Sequence, residues 1–297
     1  MKGIREIKSR IKSVKSTGQI THAMQLVASS KMKKAQTRAE NGRAYNLLLL
    51  DLMDTLMSKR DSLDFNPRIF TKSEAKKRLI IVFSTDKGLC GPLNSNLLKI
   101  ISGIDRDEAS YIAIGNKASR YIAATKRKLI AHFDISDNVK FTEVKVVVDY
   151  ALKRLQEGEF DTLEVLYPAF INTLKQDSTL LRVAPIDNLD EHIEVMKSKY
   201  KSSLNTHSEE DKRQLLIEPS AKELFAELPL YYIRNTIYHL ALEAKASEQS
   251  ARMVSMKAAS DNADSLIASL SLQYNKARQE AITNEIIELS SAMVNEE

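Results

Sequence analysis

Residues 273–286 read QYNKARQEAITNEI, and the fold turns on what such a stretch can be. It holds no glycine or proline, so it cannot be a bent catalytic loop. It has hardly any oily stripe, so it is not a buried helix either. Outward from it the pattern persists: Pro229 is the last breaker, and 68 residues follow it to the C-terminus. They are rich in Ala, Leu, Glu, Lys, Gln and Met, all strong helix formers. A single helix of that length would extend about 100 Å, too long to bury in a domain of this size. The first 60 residues also lack proline and are interrupted by Gly18 and Gly42 after an initial Gly3.

Both ends carry a seam in steps of three and four, the mark of paired helices. In the first helix it runs Ile4, Ile7, Ile11, Val14, Thr17, Thr21, Met24 and Ala28; in the last, Ala263, Ile267, Leu270, Tyr274, Ala277 and Ala281. Pairing the termini as an antiparallel coiled coil satisfies both, with the middle of the chain as an insertion. The middle reads differently. LIIVFS (79–84), YIAIG (111–115), LIAHF (129–133), TLEVLY (162–167) and TLLRVAPI (179–186) are short apolar runs separated by helical stretches at 94–101, 116–126 and 142–157. That alternation predicts a Rossmann-like α/β layer with a largely parallel sheet. The expected plan is therefore mixed α and β: a shaft of 1–62 with 220–297, an α/β domain over 72–190 and a polar linker over 191–219.

Composition sets the class. Of 297 residues 43% are hydrophobic and 28% charged, ordinary for a soluble protein. The oiliest runs, 47–50 and 79–83, are far too short to span a bilayer, and MKGIREIKSR lacks the apolar centre of a secretory signal. A single cysteine, Cys90, excludes an internal disulfide and a zinc framework. The protein is expected in the cytosol, meeting a membrane only through partners. Within the net charge of +5, residues 1–43 carry eleven Lys or Arg against Glu6 and Glu40. Such a helix could bind nucleic acid by counterion release, which makes a nucleic-acid scaffold the alternative reading. No aromatic residues interleave the basic ones for base stacking, so a solvated face is favoured and no nucleic-acid partner is expected.

The sequence offers little chemistry. STDKGLCGPLN (84–94) follows the first strand, where glycines can cradle phosphate, but it lacks the GxGxxG spacing and no Gly-Lys-Ser/Thr follows. Cys90 has no recognisable histidine partner; His22, Asp261 with Asp264, and the run Glu209–Asp211 read as surface groups. Catalytic residues, cofactor and metal are all expected to be absent, which points to a mechanical or scaffolding part.

The segments IKSRIKSVKSTGQITHAMQLVASSKMKKAQ (7–36), STDKGLCGPLN, and SEQSARMVSMKAASDNADSLI followed by LSLQYNKARQEAITNEIIEL together resemble the γ subunits of F-type ATP synthases. They occur in the family's order at both ends and in the middle. The resemblance implies a central-stalk rotor that is not itself catalytic, turned by hydrogen-ion flow inside a ring of α and β subunits. It also implies contacts to the ε subunit and the c-subunit ring, at the cytoplasmic face of a bacterial inner membrane. By the same resemblance Arg278, Gln279 and Thr283 hydrogen-bond a β subunit, and Met24 with Arg252 lies in the coupling region. Lys87 and Cys90 are expected to face the lower part of a β subunit, and Leu215 and Glu218 the c ring and ε. The chain departs from the family pattern in His22, where Lys is common, and in LSSAMVNEE (289–297), where a Gly-Gly-Ala segment is common.

Overall fold

The computed structural model describes residues 2–57, 77–186 and 220–294. Helix α1 runs Lys2–Met57, and the α/β layer follows as β1 Arg78–Phe83, α2 Leu93–Gly103, β2 Ala109–Ile114, α3 Asn116–Ala124, β3 Lys128–Phe133, α4 Phe141–Gln156, β4 Thr162–Phe170 and β5 Gln176–Ala184. Helix α5, Ala221–Val294, closes the chain. Two compact units emerge: Met1–Ser30 with Arg252–Glu297, and Lys31–Ala251.

In the larger unit the sheet has the order β3-β2-β1-β4-β5. β1 pairs in parallel with β2 and β4, β2 in parallel with β3, and β5 antiparallel with β4. The central strands are covered on both faces, which is why RLIIVF and ASYIAI read as unbroken apolar runs. Alternate residues divide two cores. Ile80, Val82, Tyr111 and Ala113 face α2 and α3 with Leu97, Ile101, Ala118 and Ile122. Leu79, Ile81, Ile112 and Val165 face the other way, toward Val144 and Val148 of α4, Leu50 of α1 and Ile233 and Leu240 of α5.

The sequence reading placed the end of the fourth strand at Tyr167, but β4 continues through Pro168 to Phe170. Pro168 pairs with Ser178 of β5 and lies past the last residue that β1 reaches, Leu166, so its missing N–H leaves no gap in a central ladder. Pro229, the last breaker in the sequence, lies inside α5. The helix starts two turns before it, where the Glu223 N–H donates to the Ser220 hydroxyl at 3.2 Å.

The two long helices run antiparallel. In the larger unit Gly42 faces His239, and four residues further on the buried Asn235 amide donates to Asn46. In the smaller unit Gly18 abuts Ala263, where a Cβ on the glycine would lie 3.2 Å from the alanine methyl. The buried stripe of α1 follows the expected seam with one correction: at its centre stands Gly18, and Thr17 is exposed, donating its hydroxyl to the Ser13 carbonyl instead. A glycine was passed over because it carries no hydrophobic signal, yet its lack of side chain is what brings the backbones close.

Candidate functional site

In the smaller unit, Ala263 and Leu270 of α5 are buried and Tyr274, Ala277 and Ala281 half-buried. Gln279 and Thr283, one turn apart, therefore point away from the seam, and Arg278 lies on its flank; all three are exposed. The Thr283 hydroxyl donates to the Gln279 carbonyl at 2.9 Å, leaving the Gln279 carboxamide and Arg278 guanidinium turned to solvent. Helix lengths explain this exposure. From Gly18 opposite Ala263, sixteen residues back along α1 and sixteen forward along α5 bring Lys2 opposite Gln279. The pairing thus runs out at Gln279, and residues 282–287 are all exposed. Helix α5 continues alone through Ser290 and Ser291 to Val294.

This face is not as polar as its sequence suggests. Leu272, Ile282 and Ile286 are exposed beside Gln279 and Thr283, and Ile20 and Val27 are exposed on α1. Their spacing carried the signal: Leu272 and Ile286, like Ile20 and Val27, recur by whole heptads but off the buried stripe. Met24 and Arg252 are both half-buried, Met24 in the seam of α1 and Arg252 at the start of this unit's part of α5.

The turn 84–94 belongs to the larger unit. Within it the Thr85 hydroxyl donates to the Lys87 carbonyl at 2.7 Å, and the Asn94 carboxamide donates to Thr85 Oγ1 at 2.8 Å and Cys90 Sγ at 3.1 Å, while Asp86 accepts from the Asn116 N–H of α3 at 3.0 Å. Cys90 is 2% exposed and packs with Leu93 and Ala251. This corrects its assignment as a partner-facing residue: a small side chain between two glycines closes the turn inward. Lys87 is exposed, and so is Leu89, which the sequence reading missed and which the turn holds at φ +65°. Leu215 and Glu218 lie outside the described residues.

In open α/β sheets, ligands bind outside the carboxyl ends of the strands, where the strand order reverses. Here that crevice is lined by Phe83, Thr85, Gly115 and Pro168 and roofed by Ala244 and Lys245 of α5, leaving a cavity of about 40 Å³. Binding sites for organic ligands run about 300–1,000 Å³. Gly115, at φ +88°, has no room for a Cβ, which would collide with the Ser84 carbonyl. Among the described residues no group of His, Cys, Asp and Glu is placed to hold a metal ion.

The family profile described as ATP synthase matches residues 3–294. The ATP synthase gamma chain of Opitutus terrae is 44% identical over 292 residues, covering 98% of this chain and 98% of that one. Among solved structures, the rotor of the Euglena gracilis mitochondrial ATP synthase aligns with a TM-score of 0.64 at 18% identity, over 94% of this chain and 99% of that one. The central stalk and c-ring structure of the Tetrahymena thermophila mitochondrial enzyme aligns at 0.59 and 22%, over 81% and 99%. The structural likeness shows a shared fold, and the sequence matches, nearly end to end, establish that the chain belongs to the ATP synthase gamma chain family.

Proposed function

We propose that this chain is the central-stalk rotor of an ATP synthase. Ion flow through the membrane sector turns it, and its changing face takes the catalytic β subunits through open and closed conformations. It performs no catalysis itself. The observation that carries the reading is the lopsided helix pair, in which α5 outruns α1 and presents Arg278, Gln279, Thr283 and their apolar neighbours on one side. A shaft shifts a partner's conformational equilibrium only through contacts that differ with angle, and a one-sided tip supplies them. Arg278, Gln279 and Thr283 form exchangeable hydrogen bonds with a β subunit, an angle-dependent catch. Met24 and Arg252 act in the coupling region.

The α and β subunits are the partners of the shaft, and the ε subunit and c ring those of the α/β unit, through Leu215 and Glu218. The Euglena and Tetrahymena structures, a rotor and a central stalk with its c ring, support this arrangement. Lys87 and Leu89, rather than Cys90, supply the surface of the turn toward the lower β subunit. Among the described residues no helix is long and apolar enough to cross a membrane. The chain is peripheral, held through its partners at the cytoplasmic face of the bacterial plasma (inner) membrane.

Reconstitution of the α and β subunits on the membrane sector, with and without this chain, tests the reading. Coupled ATP synthesis is expected only with the chain, while nucleotide binding by α and β persists without it. Coupled synthesis in its absence would refute the proposal.

A further inference from the structure

A rotor driven at one place and doing work at another must not slip between them. In the larger unit α1 and α5 lie against the sheet face that includes Leu79, Ile81 and Val165. Such apolar packing is non-directional and holds distance better than angle. The loop between β3 and α4, residues 134–140, adds direction. Its Asp137 carboxylate accepts from both helices, one oxygen to each: Oδ2 from Lys31 Nζ of α1 at 2.5 Å and Oδ1 from Lys245 Nζ of α5 at 2.7 Å. The next residue's carbonyl, that of Asn138, accepts from the Arg38 guanidinium of α1. Lys245 is steadied in turn by Glu248 at 3.0 Å, and both of these side chains are largely buried.

Behind these contacts the loop is immobilised. The Glu143 carboxylate of α4 accepts from the Ser136 N–H and hydroxyl and from the Lys140 N–H. Val139 is buried in the core at φ +38°, a conformation a β-branched residue keeps only where its surroundings over-determine it. The loop is therefore fixed to the α/β layer at its rear and grips both long helices at its front.

We infer that Asp137 is a positioning residue that sets the angle of the helix pair on the α/β layer, so that torque crosses this joint without slip. The inference rests on the rotor reading. Rotation of the assembled complex tests it. The ring of α and β subunits is anchored to a surface, and a bead is attached to the α/β layer through Lys99→Cys; Cys90, being buried, stays unlabelled. Asp137→Asn is expected to leave the ATP hydrolysis rate unchanged and roughly double the angular variance of the bead at its pauses, because the amide keeps one acceptor oxygen and turns an NH2 donor toward the other ammonium, so the hold on both helices at once is lost. Glu108→Gln, which weakens an ion pair with Arg78 inside the α/β layer, should keep the wild-type variance. Wild-type variance in Asp137→Asn, or equal broadening in Glu108→Gln, would overturn the inference. A wild-type complex that hydrolyses ATP without turning the bead would instead refute the rotor reading.

Discussion

At position 42 a single methyl group is too much. A Cβ there would overlap the imidazole of His239, itself only 6% exposed. Gly42→Ala is therefore expected to lower stability by about 1–3 kcal/mol, the usual range for overpacking. Urea unfolding checks this, and adding His239→Ala should recover part of the loss. Gly88→Ala, facing open space, should stay within about 0.5 kcal/mol of wild type. At Met24 the expected consequence is functional. Met24→Lys places a charge in the seam, and in the assembled enzyme it should reduce the ions pumped per ATP hydrolysed, read from acidification of inside-out vesicles. Normal efficiency would remove Met24 from the coupling region.

Elements add what single residues cannot. At and beyond the end of the helix pairing, Arg278, Gln279 and Thr283 are exposed. Replacing all three with Ala, the best helix former, should change stability by no more than about 0.5 kcal/mol. Coupled ATP synthesis should nevertheless fall several-fold; a variant with normal synthesis would leave these side chains without a role. The β3–α4 loop makes a prediction in pH. The Lys245 ammonium, with Lys31 beside it, holds the Asp137 carboxyl well below the usual carboxylate range. A group depressed in the folded state contributes stability that is complete above its unfolded value, near pH 4, and is lost as the pH falls through the folded one. Asp137→Asn should thus cost about 1 kcal/mol near neutrality, a figure kept low because the side chain is half exposed. The cost should shrink progressively below about pH 4, as denaturant titrations of the two proteins at each pH would show.

For the whole molecule, what could be read in advance follows from what leaves a periodic trace. Buried parallel strands are apolar throughout and paired helices repeat in threes and fours, so the sheet, its helices and the seam of α5 were all visible in the sequence. Gly18 was not, because a close approach is made by an absent side chain. The start of α5 ahead of Pro229 has a local signal in Ser220 and Glu223, three residues apart, whose hydroxyl and N–H meet there. Cys90 was misplaced because its burial depends on Ala251, distant in sequence and adjacent in the fold. The partner surfaces were legible only through resemblance, since an exposed Arg, Gln or Thr looks the same whether it meets water or another subunit.

The crevice at the strand ends has a consequence for the machine as a whole. Where other sheets of this kind admit a cofactor, this one seats its own terminal helix, with Ala244 and Lys245 as the plug. To take up a nucleotide there the protein would have to unseat its axle. That doorway is closed to news of whether a catalytic subunit holds ATP or ADP, and what passes through the seated helix is a displacement.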